Sequence, residues 1–154
     1  MKLARYQVTG FIPVNDAPAT RRMLAATVTI VKGEVLADNG SGYATNNLTA
    51  FTALCFGVAA AGVVGDSSTK YVEYYPFDTK TQYSVPVSTN AVLTVANKGD
   101  ICDLGTNADD LSIATNFTAG IGFRIDDIDI SAAAIAANTY GYAIGHFQTI
   151  AAQA

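Results

Sequence analysis

The chain holds one histidine, His146, in the run Gly141-Tyr142-Ala143-Ile144-Gly145-His146-Phe147-Gln148. In an extended strand, alternation puts Tyr142, Ile144 and His146 on one face and Ala143, Gly145 and Phe147 on the other. A histidine there works as a base only beside a nucleophile or a metal. The sequence around it holds neither a nucleophile elbow nor an H-E-x-x-H zinc helix. Cys55 and Cys102, widely separated, bring the soft ligands to three at most, one short of a structural zinc set. Asp126, Asp127 and Asp129 are the densest carboxylates, and Asp127 and Asp129 would share a strand face. A calcium ion at a subunit contact is conceivable there, but the spacing matches no calcium loop. A solvated acidic edge, which also discourages stray strand pairing, is the expectation. Gly120-Ile121-Gly122 and Gly62-Val63-Val64-Gly65 lack the third glycine and the strand-to-helix setting of a dinucleotide loop. No catalytic residue, metal or cofactor is therefore expected, and the chain reads as a non-enzyme.

Residues suited to contact are more plentiful. Tyr71, Tyr74, Tyr75 and Phe77 crowd one segment with Tyr83 close behind. Adjacent rings at Tyr74-Tyr75 point to opposite faces of a strand, so one of them should leave its own core. Tyrosine suits interfaces because its ring packs dry while its hydroxyl finds a partner. Tyr71, Tyr74, Tyr75 and Phe77, joined by Arg5, Tyr6, Phe11 and Ile12 near the N-terminus, are the expected partner-contact residues.

Composition points the same way. Asp, Glu, Lys and Arg make up 14% of the 154 residues, against about 25% in ordinary soluble domains. Half of the residues are hydrophobic, yet no window approaches the roughly 18 apolar residues of a spanning helix. A surface so poor in charge favours association, first of all with identical copies. A net charge of −4 without a basic stripe excludes phosphate-backbone binding, so nucleic acid and membrane are not expected partners. Lys2 and Arg5 precede no apolar run, so the start does not read as an export signal and both cysteines are expected as reduced, buried thiols.

The elements that carry these residues are β-like. Residues 1–24, punctuated by Pro13 and Pro18, read as an extended arm that is either a tail or a strand lent to a neighbour. Residues 25–154 read as one domain. Ala26–Val31 is a β-branched run, followed by turns at Lys32-Gly33-Glu34 and Asp38–Gly42 around Val35-Leu36. Phe51–Ala59 is ambiguous, since Leu48, Phe51, Leu54, Cys55 and Val58 also fit a helical face, and Thr49, Thr52 and Gly57 favour a buried strand. Tyr71–Phe77 is a strand that Pro76 confines to an edge or an end, and Gln82–Val87 is expected to pair with it as a hairpin. Ala91–Ala96, Ile101–Leu104, Gly122–Ile130 and Thr139–Ile150 complete the strands. Ser131–Asn138 is the single helical turn, capped by Ser131 and stopped by Asn138. Short strands with Gly and Asn turns and no βαβ alternation predict an all-β fold, a small β-barrel or β-sandwich.

Over roughly residues 25–150 the chain resembles the capsid decoration (cement) proteins of tailed bacteriophages. The resemblance is carried by Val31-Lys32-Gly33-Glu34-Val35-Leu36, Phe56-Gly57-Val58-Ala59, the Lys98-Gly99-Asp100 turn and the glycine-flanked strand Tyr140–Phe147. Low charge, richness in Ala, Thr and Gly, and the N-terminal arm add to it. It implies a structural virion protein, a homotrimer bound where major capsid proteins meet on the outer head surface, made in the host cytoplasm. It also implies that residues 1–24 clamp the capsid or a neighbour, and it brings no catalytic residue. The alternative is a carbohydrate-binding β-sandwich module of a phage fibre or adhesin, against which the lack of Trp counts.

Overall fold

The computed structural model describes residues 9–89, 92–105, 107–113 and 120–150. Thirteen strands run through them. The first seven are β1 (Ile12–Pro13), β2 (Arg21–Leu24), β3 (Thr29–Ile30), β4 (Val35–Asp38), β5 (Ala44–Thr45), β6 (Cys55–Ala59) and β7 (Val63–Val64). The rest are β8 (Tyr71–Pro76), β9 (Tyr83–Thr89), β10 (Ile101–Leu104), β11 (Leu111–Ser112), β12 (Gly120–Asp129) and β13 (Tyr142–Ile150). A 3-10 turn covers Val95–Asn97, and α1 (Ala132–Ala137) is the one α-helix among the described residues. The expected all-β fold is what forms.

Strands β9, β11, β10, β12 and β13 are hydrogen-bonded in that order, and β13 returns to β9, which closes a five-stranded barrel. Neighbours are antiparallel except β9 and β11. Closure depends on β9, whose second edge meets β1 at Tyr83-Ser84 and β11 from Val87 on. Pro86 sits between those contacts. Val87 N–H donates toward β13, to Gly141 O, so by alternation the missing Pro86 N–H faces the other side, where β1 has ended and β11 has not begun. No ladder bond is lost there.

The barrel interior is filled from every wall, by Tyr83, Val85 and Val87, by Cys102, Leu104 and Leu111, and by Phe123, Ile125, Ala143 and Phe147. A second sheet, ordered β2-β8-β6-β4-β5, lends Val35, Ala37, Cys55 and Val58 to the same core. A bulge in its β4–β6 pairing makes this possible, since Ala37 faces Cys55 and Leu36 faces Gly57 with Phe56 left over. The extra residue flips the alternation, so Cys55 and Val58 point the same way. The other face of that sheet buries Leu36, Ala44, Ala59 and Val72 with Ile30, and the small β3–β7 ribbon covers them.

Four expectations change against this frame. The arm expected over 1–24 is, from Thr9 on, part of the body, while residues 1–8 lie outside the described residues. Gly10 N–H donates to Asp109 O and Phe11 N–H to Gly33 O. Gly33 turns at φ +92°, and an ideal Cβ on it would lie 2.9 Å from Gly10 Cα, so the segment is laid down glycine against glycine. Phe11 is only 1% exposed. Secondly, β8 and β9 form no hairpin: Pro76 ends β8, and the next strand enters the barrel while β8 stays between β2 and β6. Thirdly, the run Ala26–Val31 is strand only at Thr29-Ile30. Ala25 bonds to Lys70 and Ser67, and Val28 N–H turns back to Ala26 O, because the chain crosses there from β8 to β7 as partner. Fourthly, no strand forms at the described part of Ala91–Ala96: Leu93 is buried, but Val92 and Val95 are exposed around the 3-10 turn.

Candidate functional site

The expected contact residues separate. Arg5 and Tyr6 lie outside the described residues. Phe11 is core, its ring 5.2 Å from Phe147 and 5.4 Å from Phe123. Ile12 is half-buried on β1. On β8, Tyr71 is exposed and carries the Arg22 guanidinium 4.4 Å above its ring, a cation–π contact at the surface. Tyr74 turns inward and meets Phe56 edge-on at 4.7 Å, and Tyr75 is half-buried. Phe77 stacks on Phe147 at 4.2 Å. Among the described members of the group only Tyr71 is exposed, since β8 is a central strand whose Tyr74 packs on one core and the Phe77 that follows it on the other.

Phe77 and Phe147 also line a cleft of about 210 Å³ with Cys55, Phe56 and Ile121, with Asp78 and Gln148 at its mouth. Burial pushes the Cys55 thiol up from its ordinary value. It pushes Cys102 up to about 12, with Asp100 and Asp103 adding to the effect. Both sulfurs are free of a disulfide, and both are held as thiols rather than nucleophilic thiolates at neutral pH.

His146 pairs with Arg124 and has Asp126, two residues on, as its side-chain neighbour. Between Ile125 and Asp127 the β12–β13 register slips, leaving Asp126 as the extra residue. Asp126 Oδ2 lies 2.7 Å from His146 Nδ1 and also accepts from Gln82 Nε2 at 3.2 Å. The same slip scatters the acidic run: Asp127 pairs with Lys98 at 3.1 Å, and Asp129 Oδ1 accepts from Ser131 N–H. Among the described residues no three His, Cys, Asp or Glu side chains gather for a metal ion. Ser84, which pairs with Ile144 two residues before His146, has its hydroxyl buried and bonded to no described group. The Asp126 carboxylate orients a partly exposed imidazole, and among the described residues His146 is bonded to no serine, threonine or cysteine.

The surface feature that residue types alone did not point to is apolar. Of the six residues of α1, all Ala or Ile, only Ala134 is buried. Ile135 is 38% exposed, and Ile130, Val92 and Val95 are 44%, 50% and 70% exposed. They belong to one end of the barrel, since an ideal Cβ on Gly141 would lie 3.0 Å from Ile130 Cγ2 and 3.7 Å from Leu93 Cδ1. A second apolar face is the outer side of the β3–β7 ribbon. Val64 opposes Thr29 there and shares its side with Val31, and the two valines are 69% and 54% exposed. The signal for the first was present in the sequence: a six-residue helix without one polar position has no face made for water.

No family model, curated protein or solved structure matches the chain. Among the described residues no helix is long and apolar enough to cross a membrane.

Proposed function

We propose that the chain is a structural virion protein, a capsid decoration (cement) protein that binds the outer surface of an assembled phage head and stabilises it. It works without catalysis, cofactor or metal, as a homotrimer, and its partner is the major capsid protein. The observation that carries the proposal is the pair of apolar faces, at α1 and at the β3–β7 ribbon, on a chain with so few charges. Single exposed valines are ordinary, but grouped ones on two faces mark protein contacts. Two faces also suit a protein that must hold both its own copies and a shell. Stabilisation then follows from mass action: a protein that binds only the assembled shell lowers its free energy relative to the dissociated subunits, and several linked contacts bind far more tightly than one.

The test is co-sedimentation with shells assembled from the major capsid protein encoded in the same genome, followed by heating of decorated and bare shells. Saturable binding and a higher disassembly temperature are expected. Absence of binding at saturating protein would refute the reading. A chain that begins at Thr9 tests the clamp separately, since every contact of Phe11 described above is retained in it.

A second reading rests on a different cleft. Between β4, β5 and the loop that follows, Asp38, Asn39, Thr45 and Asn47 surround Leu48 and Leu54 in a space of about 310 Å³. Polar side chains around an apolar floor suit a sugar ring, the chemistry of a carbohydrate-binding module. A glycan-array signal lost in Asn47→Ala, with no affinity for shells, would favour it.

A further inference from the structure

We infer that Asn39 is a self-modifying site, at which the backbone nitrogen of Gly40 displaces the side-chain amide nitrogen as ammonia and the β4–β5 hairpin gains a carboxylate. No partner takes part, so the site stands whether or not the chain decorates a shell. Asn39-Gly40 is the chain's one Asn-Gly pair. It lies at the turn between Asp38, which ends β4, and Ala44, which begins β5, and both residues are exposed. The attacking nitrogen is within reach of one short side chain, so no second molecule need be positioned for attack. Glycine leaves that nitrogen unscreened: Gly40 stands at φ +91°, and an ideal Cβ on it would meet nothing within 4 Å.

The hydrogen bonds of the turn are those the reaction needs. Gly40 N–H donates to Asp38 Oδ1 at 2.8 Å, so a carboxylate already lies on the proton that must leave the nitrogen. Asn39 Oδ1 accepts from Ser41 N–H at 2.9 Å and from Tyr43 N–H at 3.3 Å. These donors would hold the charge that gathers on that oxygen when Cγ is attacked, as in an oxyanion hole. Among the described groups nothing accepts from Asn39 Nδ2, so the nitrogen that leaves is tied to nothing. Asn15, Asn46 and Asn138 instead donate from Nδ2 to Lys80 O, to Glu34 and to Val87 O, and each is followed by a residue larger than glycine. In the step itself Gly40 N bonds to Asn39 Cγ, its proton passes by way of Asp38 to Nδ2, and the Cγ–Nδ2 bond breaks to release ammonia. The cyclic imide then takes up one water. Opening at Cγ gives aspartate, and opening at the main-chain carbonyl gives isoaspartate. Nothing is oxidised or reduced. The cleft that Asp38 and Asn39 line with Thr45 and Asn47 loses an amide donor and gains a second carboxylate, on a chain whose net charge is already −4.

The full chain, aged in warm and mildly alkaline buffer, tests this by peptide mass mapping and by labelling with an isoaspartyl methyltransferase. The peptide holding Asn39 should gain the mass of water exchanged for ammonia and accept the methyl label, while those holding Asn15, Asn46 and Asn138 stay unchanged. Asp38→Asn, which keeps an acceptor but not its charge, should slow the change about tenfold, less than a base supplies in full because water also takes the proton. Gly40→Ala should slow it further. The same ageing in denaturant uses the wild type alone and holds even where a variant misfolds: the change at Asn39 should be slower there, since the turn that supplies base and donors is gone. A folded chain that keeps Asn39 as long as its other asparagines overturns the inference, as does one that loses it no faster than the unfolded chain.

Discussion

Phe11→Ala separates a clamp from a core residue. Phe11 is 1% exposed, with its ring 5.2 Å from Phe147, 5.4 Å from Phe123 and 6.4 Å from Tyr83. Truncating a buried phenylalanine to alanine costs about 3–5 kcal/mol once the cavity is included. Three edge-on or tilted ring contacts place this site near the upper end, at about 5 kcal/mol. A domain of this length loses roughly 2–4 °C of Tm per kcal/mol, so a fall of about 10–20 °C is expected. The assay is thermal unfolding followed by circular dichroism, with the chain that begins at Thr9 as control. That control keeps Gly10 N–H on Asp109 O and Phe11 N–H on Gly33 O, and its Tm should fall by less than that of Phe11→Ala. A fall below about 3 °C for Phe11→Ala, under the roughly 1 kcal/mol of a surface substitution, would refute the placement of Phe11. The segment would then be an appended arm.

Further outcomes follow from the same packing. Gly145→Ala would set a Cβ 1.9 Å from Arg124 O, so β12 and β13 must part, and a loss of about 3 kcal/mol or more is expected in urea unfolding. Glu34 is 9% exposed and takes Asn46 Nδ2 on both carboxylate oxygens, at 2.9 and 3.0 Å. Burial nevertheless holds its pKa above the usual carboxylate value, with Asn46 and the Val31 N–H pulling it back only in part. The folded protein therefore keeps a proton there that the unfolded chain releases, so this group's contribution is full below the unfolded pKa and is lost as pH rises through the folded one. The Tm of the wild type minus that of Glu34→Gln should accordingly fall as pH rises above the ordinary carboxylate range, and a difference that rises instead would reverse the assignment. Asp66 acts in the opposite sense, since bonds from Thr69 and Lys70 hold its pKa down and its contribution is lost as pH falls. Finally, Cys55 and Cys102 should resist a thiol reagent at pH 8 in the native protein and react at once in denaturant. Rapid native labelling at either would show that the thiol is not buried as described.

The sequence by itself determined what is decided locally. Gly33 and Gly99 turn the chain where expected, at φ +92° and +89°, because a backbone in that region disfavours any residue with a Cβ. Ser131 and Asn138 bound α1 for the same kind of reason, one side chain meeting one nearby N–H and one backbone donor closing the last turn. Alternation also placed Ala143 and Phe147 opposite His146 correctly, with Ala143 and Phe147 in the core. Only the tertiary structure decided which partner each strand takes. Tyr71–Pro76 and Tyr83–Thr89 are neighbours in the chain but belong to different sheets, since pairing depends on two buried cores that no local window contains. Two bulges also lie beyond any local window: the one at Phe56 reverses the alternation and puts Cys55 and Val58 on one side, and the one at Asp126 shifts the partners of Asp127 to Asp129. Phe11 is the plainest instance. A proline-marked segment and an exposed arm look alike in one dimension, and what separates them is the ring of Phe147, more than a hundred residues away, against which Phe11 packs.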